Sequence, residues 1–377
     1  MSKKKIWYVY YGTRGTAGAY IHSLQEKCLK NNLDSTAFVS SKYRFKTKKM
    51  RKIFFPITER TEKRNFLIKA VRYFELACGY GCLFWGAVIC RPVINLSLTD
   101  DLGLTYYFFR LLKLFKLKVY ITCHDVVSHH KGITKRRLKM YEDAEKLIVH
   151  SSYAFSALAE IVGAENKKKI FKFPFPSASF REILSPQRME QAEKRLANLV
   201  GKEKDYFLFI GIVRRSKGID TLAQAWAKCS ARDTGKLVVA GKWSGAAVDL
   251  KAAVKALPNC ILIDRYLEDE EYTYLIKNAR FVLLPYRDYS HSAVLFSCAW
   301  SQGAVIISDI EMFKELLPGY GLTFPGGESD LLAELIDKTQ GFSDEEIEKY
   351  RQILFDSVKN LDIELEKGVK KLYEEFK

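Results

Sequence analysis

The sequence predicts an α/β protein built from two doubly wound domains, and three observations lead to this fold class. The chain has 377 residues, of which 48% are hydrophobic and 28% charged, enough for two cores at ~100–200 residues per domain. Short runs rich in Val, Ile, Tyr and Phe alternate with helical patterns, as buried parallel strands and crossover helices do. This alternation begins afresh near Tyr206.

Six apolar runs in the first half are predicted to be strands because turn or charged residues bound them. They are Ile6–Tyr11, Ser35–Ser40, Val88–Leu98, Lys118–Cys123, Lys146–Ser151 and Ile170–Phe173. Helical periodicity lies between them, for example over Ala19–Asn31 and Leu104–Phe115. The first domain is therefore predicted to span residues 1–185.

Five further strands and their helices define a second domain, residues 186–357. The strands are Tyr206–Val213, Lys236–Gly241, Cys260–Asp264, Arg280–Tyr286 and Ala304–Ser308. The helices between them include Gly218–Cys229, Asp269–Asn278 and Ala293–Gln302. The boundary falls between Pro174 and Lys204, which contains three prolines followed by a charged helical pattern. An acidic tail is helical by composition, and residues 358–377 are expected to pack back onto the first domain.

Composition narrows the functional classes. The eight cysteines form no CxxC pair and no zinc-site spacing with histidine, which indicates reduced thiols in a cytosol. No run of 18 apolar residues lacks a charge, so no membrane-spanning helix is expected. Charge is uneven: residues 1–190 carry 35 Lys and Arg against 15 Asp and Glu, and the remainder carries 26 against 29. A basic first half indicates an anionic partner.

The strongest chemical signal follows the first strand of the second domain. That strand ends at Gly211, a basic loop follows, and a helix begins after Gly218. In this loop Arg215 and Lys217 would stand beside a helix N-terminus, where a diphosphate meets fixed cations and free N–H groups. The alternative is a solvated basic turn.

A second anion site is predicted after the strand that ends in Pro285-Tyr286. There Ser290 or Ser292 would cap the next helix, whose first residues are Ala293 and Val294. His291 lies between the two serines and is alternatively an ordinary loop histidine. Because ligands bind beyond the carboxyl ends of parallel strands, both segments are expected to face one ligand.

These segments resemble the donor domain of family 4 retaining glycosyltransferases, which have the GT-B fold of two doubly wound Rossmann-like domains facing each other across a cleft. Lys236–Gly241, Leu283–Tyr286 and Gly303–Ser308 match that family in order and spacing, and the likeness runs from about Tyr206 to Phe324. It implies that Arg215 and Lys217 contact the donor diphosphate. It also implies a donor site with these further members: Gly211, Gly241, Tyr286, Ser290, His291, Ser292, Ala293, Val294 and Cys298.

One departure concerns the two glutamates that this family usually carries at the two ends of the helix after Pro-Tyr, with seven residues between them. Aligned on Gly303, their places hold Ser290 and Cys298. The second glutamate normally binds the nucleotide ribose and the first commonly contacts the sugar. The sequence therefore leaves UDP and GDP open and does not name the sugar. A substrate-binding relative without activity is the alternative that this departure raises.

The first domain matches the family more weakly. A glycine-rich turn follows its first strand, and the resemblance implies that Gly12, Gly15, Ala17 and Gly18 face acceptor and donor phosphate. The strand Val119–Cys123 ends in His124-Asp125, which is similar to the family's histidine-ended strand. An imidazole there can donate to a sugar hydroxyl or stabilise developing charge. The alternative for His124 is a packing role, and Asp125 would orient its ring or begin a helix.

Two stretches predict contact with a membrane surface. Lys42–Lys69 is dense in Lys and Arg and is followed by the aromatic run Phe66–Trp85, while Tyr106–Lys118 mixes aromatic residues and cations. Such segments lie in the headgroup region of anionic bilayers. The alternatives are core helices with a basic solvated edge, or a surface that attracts the anionic donor. No nucleic-acid-binding motif is present, so no nucleic acid partner is expected.

Together these observations predict a hexosyltransferase, retaining by resemblance, that moves sugar from a nucleoside diphosphate to a hydroxyl. The acceptor would be a lipid-linked or free oligosaccharide in surface polysaccharide biosynthesis. The nucleotide sugar is a substrate, so no cofactor is expected. No Asp-x-Asp motif lies at a strand end, so no metal ion is expected either. The expected location is the inner face of the plasma membrane. A non-catalytic sugar-nucleotide-binding protein and a sugar-nucleotide epimerase are the alternative functions.

Overall fold

The structure, a computed structural model, divides into two compact units that each contain a parallel sheet. It describes residues 5–12, 17–56, 66–98, 103–124, 126, 133–176, 183–201, 206–287 and 292–374. The first unit comprises Met1–Ala178 and Asp362–Lys377, and the second comprises Ser179–Leu361.

The first unit contains a seven-stranded parallel sheet in the described residues. Its strands are β1 (Lys5–Tyr10), β2 (Asp34–Ser40), β3 (Met50–Phe54), β4 (Val93–Leu98), β5 (Lys118–Cys123), β6 (Lys146–Val149) and β7 (Ile170–Lys172). They run in the order β3-β2-β1-β4-β5-β6-β7. The order reverses between β1 and β4, as in doubly wound folds, so the carboxyl ends of these two strands form the natural crevice.

Helices cover this sheet and bury nearly continuous apolar strands. They are α1 (Ala17–Lys30), α2 (Phe66–Cys90), α3 (Gly103–Leu114), α4 (Lys135–Asp143) and α5 (Ser152–Lys167). The predicted strand Val88–Leu98 is wrong in its first residues, because Val88–Cys90 ends α2 and the strand starts at Val93. Pro92, which cannot continue a helix, separates the two elements.

The second unit repeats the architecture with six described strands. They are β8 (Tyr206–Ile210), β9 (Lys236–Ala240), β10 (Cys260–Ile263), β11 (Phe281–Leu284), β12 (Val305–Ser308) and β13 (Thr323–Phe324), in the order β10-β9-β8-β11-β12-β13. Its helices are α6 (Pro186–Val200), α7 (Ile219–Lys228), α8 (Ala231–Thr234), α9 (Lys251–Lys255), α10 (Asp269–Asn278), α11 (Ala293–Trp300), α12 (Glu311–Leu316) and α13 (Ser329–Gln340).

A long last helix, α14 (Asp344–Leu372), begins in the second unit and ends in the first. Tyr373, which follows it, is completely buried against strand residues of the first unit. Its ring stacks on Tyr120 at 5.8 Å between centroids and meets Tyr8 edge-on at 6.5 Å. The end of the chain therefore completes the core of the first unit.

Within the described residues one helix, α2, is long and apolar enough to cross a membrane by length and composition, although the sequence analysis expected none. About a third of its apolar span, 33%, is buried in the protein. Leu76, Tyr80, Leu83, Phe84 and Ala87 form that buried stripe and belong to the core cluster of the first unit. One side of α2 therefore belongs to the core of the first unit.

Candidate functional site

The second unit brings three loops together where its strand order reverses. β8 pairs with β9 on one side and with β11 on the other. In an open parallel sheet this reversal opens a crevice at the carboxyl ends of the strands, which is where such folds bind ligands. The loops that begin at Gly211, Gly241 and Pro285 therefore border one site.

Two glycines allow these loops to approach closely. Gly241 has φ of +143°, and a Cβ added to it would lie 1.7 Å from the carbonyl oxygen of Gly211. Gly218 has φ of +72°, and its Cβ would lie 1.7 Å from the carbonyl oxygen of Pro285. Any side chain at either position would force the backbones apart, and the positive φ adds strain. Gly241, which was predicted as a donor-site residue, and Gly218, which was not, thus set the shape of the crevice.

Lys217 is the cation at the base of this site. It ends a short 3-10 helix, Arg215–Lys217, and its side chain is only 8% exposed. The ammonium group lies 5.3 Å from the ring centroid of Tyr286 and 3.4 Å from the point where a Gly211 Cβ would stand. The loops after β8 and β11 thus hold the ammonium between them.

Burial changes the chemistry of this lysine. Loss of solvation, together with the nearby positive charge of Arg214, lowers the pKa of Lys217 from 10.5 to about 8. Both effects disfavour the charged ammonium. An anionic ligand at the site would raise this pKa again and so favour the charged ammonium, which can form an ion pair with a phosphate group.

Arg215 differs from Lys217 in being exposed at the surface of the same turn. Its Nε donates a hydrogen bond of 3.1 Å to the carbonyl oxygen of Ala246. Arg287 supports the turn from the loop after β11: its guanidinium lies 3.0 Å from Asp220, and its backbone N–H donates to Ser216. Arg215 is therefore accessible to a ligand while the turn that carries it is tied down.

Helix α11 begins beside the turn. Ser292 caps it by accepting a 3.2 Å hydrogen bond from the N–H of Leu295, and a helix N-terminus favours negative charge. Val294, in the first turn, places a methyl group 3.4 Å from the Cβ point of Gly211. Ala293 and Val294 therefore stand near the crevice, and the Ser292 hydroxyl is used as a cap.

Cys298 does not line the site, contrary to the sequence analysis. It is completely buried in α11, most of whose residues are apolar, and burial raises the pKa of its thiol. Its neighbours Leu295, Phe296 and Ala299 are buried as well. A thiol so enclosed cannot reach a ribose hydroxyl, so a packing role replaces the predicted donor contact. Tyr286 is similarly 1% exposed, and its ring face lies against the Lys217 ammonium.

His124 lies just beyond β5 among aromatic rings of the first unit. It is 9% exposed, and its ring meets Tyr20 at 4.7 Å and Phe175 at 6.2 Å between centroids. Tyr20 and His150 were not predicted as site residues. The Tyr20 hydroxyl lies 3.1 Å from His150 Nε2 and 3.3 Å from Thr122. Neither residue follows a recognisable motif, and only the fold brings them beside His124.

The glycine-rich turn of the first unit is described at its two ends. Gly12 lies against Tyr10, whose hydroxyl is 1.9 Å from the point of an added Cβ. Ala17 begins α1, and Gly18 accepts a hydrogen bond from the Tyr43 hydroxyl at 2.9 Å. The remaining predicted site residues, Gly15, Asp125, Ser290 and His291, lie outside the described residues.

Two further findings concern polar groups. No group of three His, Cys, Asp or Glu side chains within the described part of the chain could hold a metal ion. Trp243, in the loop after β9, was not singled out from the sequence. Its side chain is 5% exposed, and its indole N–H finds no hydrogen-bond partner among the described residues. Such a buried donor is costly unless a ligand or water satisfies it.

Comparison with known proteins agrees with this geometry. Residues 204–339 match the family model described as Glycosyl transferases group 1. The matched segment contains the loops after β8, β9 and β11, and so the whole described crevice. No curated protein matches the sequence significantly.

Solved structures resemble the chain over nearly its full length. Sucrose-phosphate synthase from Thermosynechococcus elongatus has a TM-score of 0.68 at 15% identity, covering 99% of both chains. Anabaena HepE in complex with UDP-glucose has a TM-score of 0.67 at 12% identity, covering 98% of this chain and 99% of its own. A glycosyltransferase from Rickettsia africae gives 0.67 at 12% identity, with 100% and 98% covered. The predicted GT-B fold class is thereby confirmed.

Proposed function

We propose that the protein transfers a hexosyl group from a UDP-sugar to a hydroxyl of its acceptor. The observation that carries this proposal is Lys217, a buried ammonium at the strand-order reversal of the second unit. Arg215 stands on the same turn and the capped N-terminus of α11 lies beside it. Three sources of positive potential on one crevice suit a diphosphate better than a neutral ligand.

The chemistry follows from where charge appears. As the bond between the sugar C1 and the β-phosphate oxygen breaks, a new bond forms from C1 to the acceptor oxygen. The bonding electrons stay on the departing UDP, and the acceptor proton passes from the new glycosidic oxygen to a β-phosphate oxygen of that UDP. Lys217 and Arg215 would stabilise the charge that grows on the β-phosphate, which is the largest contribution that fixed cations make to such a step. Retention of configuration is proposed from the resemblance to family 4 enzymes.

Relatives of the same fold support uridine as the nucleoside. Anabaena HepE has been solved with UDP, with UDP and glucose, and with UDP-glucose. A trehalose-6-phosphate protein from E. coli has been solved with UDP-2-fluoro glucose. Two solved relatives with uridine nucleotides favour UDP over GDP, which the sequence alone left open.

The acceptor is proposed to be a lipid-linked or free oligosaccharide of a surface polysaccharide pathway. The first half of the chain has a net charge of +20, from 35 basic and 15 acidic residues. A basic acceptor domain suits a phosphate-bearing acceptor. His124, at the end of β5, would donate to a sugar hydroxyl or stabilise charge at the reacting carbon.

A donor screen tests the proposal. The protein is incubated with a panel of UDP- and GDP-sugars, with and without bacterial membrane extract, and UDP or GDP release and sugar incorporation are measured. A glycosyltransferase would incorporate sugar into product only in the mixtures that contain an acceptor. Donor conversion without acceptor would instead identify an epimerase, and tight donor binding with no product in any mixture would identify a binding protein.

Paired variants test the site. The double variant Arg215→Ala, Lys217→Ala is expected to lose UDP binding and turnover while remaining folded. Lys228→Ala provides the matched control, because Lys228 is exposed at the other end of α7 and contacts Asp330. Turnover by the double variant at the wild-type rate would overturn the assignment of these two residues.

A further inference from the structure

Helix α2 exposes an apolar face where a surface helix normally carries charge. Phe66, Leu67, Phe74, Trp85 and Ile89 are each between 68% and 83% exposed. After Tyr73, itself 45% exposed, the other exposed residues of the helix are alanine, glycine and cysteine. Single exposed apolar residues are ordinary, but a face of this kind running along a 25-residue helix marks an interaction site.

The opposite side of α2 packs into the core of the first unit. A Cβ added to Gly79 would lie 2.4 Å from the ring of Phe54, so the helix is seated closely against β3. Tyr80 stacks on Phe108 of α3 at 4.3 Å between ring centroids. The helix is therefore fixed in place with its second apolar face outward.

Helix α3 extends this apolar face. Tyr107, Leu111, Leu114 and Phe115 lie on or just after α3 and are 58%, 38%, 75% and 41% exposed. Phe115 joins the two helices, because its ring lies 5.0 Å from that of Phe84 on α2. The exposed sides of α2 and α3 are defined here as the apolar face.

Cations lie on two segments next to the apolar face. Residues 41–56, which include β3, contain seven Lys and Arg and no acidic residue, and Lys48, Arg51 and Lys52 among them are exposed. Directly after α2, Arg91 donates to the carbonyl oxygen of Phe115 at 2.7 Å, and Lys116 follows. An apolar surface with cations beside it matches an anionic bilayer, in which acyl chains lie beneath phosphate headgroups.

We propose that the apolar face is a membrane-docking surface that inserts into the headgroup region of an anionic bilayer. Phe74, Trp85 and Ile89 would enter the acyl boundary, while Lys48 and Arg51 would bind lipid phosphates. Charge complementarity selects this occupant over a second copy of the chain, since two such faces would bring like charges together. This surface belongs to the first unit, whereas the donor crevice belongs to the second.

Vesicle sedimentation tests the docking surface on the full chain. Vesicles of phosphatidylcholine with 30% phosphatidylglycerol, on the order of cellular anionic content, are compared with pure phosphatidylcholine at low and high salt. Each cation near an anionic surface raises partitioning roughly fivefold. Binding is therefore expected to be far stronger on the anionic vesicles and to fall steeply as salt rises. Equal binding to both vesicle types, or none to either, would overturn the proposal.

Two variants separate the apolar and ionic contributions. Trp85→Glu with Ile89→Glu is expected to lower partitioning at least tenfold at every salt concentration. Lys48→Glu with Arg51→Glu should lower it at least tenfold at low salt only. Val248→Glu serves as the control, since Val248 is 50% exposed on the second unit and lies in neither region. UDP affinity is measured for each variant, so that failure of docking is distinguished from failure of the donor site.

A probe on the face itself reports insertion directly. Cys78, Cys82 and Cys90 are exposed cysteines of α2. After Cys78→Ser and Cys90→Ser, an environment-sensitive fluorophore on Cys82 should shift to the blue when anionic vesicles are added. Sedimentation equilibrium without lipid tests the alternative that the protein dimerises through this face. A stable dimer disrupted by Trp85→Glu would show that a second copy covers the face, and the bilayer proposal would fail.

Discussion

Replacing Lys217 by methionine is expected to stabilise the second unit while abolishing donor binding. Each pKa unit corresponds to about 1.4 kcal/mol, and burial lowers the pKa of this lysine from 10.5 to about 8. Keeping the ammonium charged inside the folded protein therefore costs about 3 kcal/mol at neutral pH. Methionine has a similar length and no charge, so it removes this cost.

The sign of the pH dependence gives the sharper test. Below pH 8 the lysine is charged in both states and the cost is complete. Between about pH 8 and pH 10.5 the unfolded chain binds more protons, so wild-type stability rises with pH and the advantage of Lys217→Met shrinks. Urea unfolding of both proteins at pH 7 and pH 10 measures this difference. Lys228→Met, an exposed lysine of the same unit, should change the free energy of unfolding by less than about 1 kcal/mol.

Two results would refute this reasoning about Lys217. The first is a methionine variant that is no more stable than the wild type at pH 7. The second is a stability difference that stays constant up to pH 10, which would show that the lysine is not desolvated. Retention of UDP affinity by the variant would separately remove Lys217 from the donor site.

Three further outcomes are expected. UDP affinity of the wild type should weaken as pH rises from 8 to 10, by up to tenfold per pH unit, because binding then requires proton uptake by Lys217; calorimetry in buffers of different ionisation enthalpy measures that uptake. Gly241→Ala should destabilise the second unit by about 2 kcal/mol or more in urea unfolding, because its Cβ meets the Gly211 carbonyl and its φ is positive; a neutral effect would contradict the close approach. His124→Ala should reduce turnover ~10²-fold without changing UDP affinity, and an unchanged rate would leave His124 only its packing against Tyr20.

The sequence allowed the fold to be predicted where local signals were unambiguous. The apolar run Lys118–Cys123 is a strand with those bounds in the structure, since charge and turn residues frame it. Val88–Cys90 was misassigned because a short apolar run looks the same in a buried helix and a buried strand. The helix α2 was harder still to predict from the sequence. Its exposed face is as apolar as its buried face, so its sequence shows no alternation of polar and apolar residues with a helical period.

The site was predictable in its residue types and less so in its environments. The glycine and basic residues of the turn after β8 could be chosen from the sequence because each strand end in such a fold points to the crevice. The burial of Lys217 depends on Tyr286, nearly 70 residues away, and no local pattern reports that contact. Cys298 was misplaced for the same reason: alignment gives its position on α11, but only packing decides which side of the helix is enclosed.

The position of Tyr373 in the first core has a consequence for biosynthesis. Domains emerging from the ribosome generally fold in order, at roughly 5–20 residues per second. The first segment of the first unit ends at Ala178, but the last core residues of that unit are synthesised about 200 positions later, at the end of α14 and directly after it. At that pace the nascent first unit waits roughly 10–40 seconds for Val369, Leu372 and Tyr373. During this interval the sheet that carries His124 is synthesised but unfinished, and the second unit can complete its own sheet first.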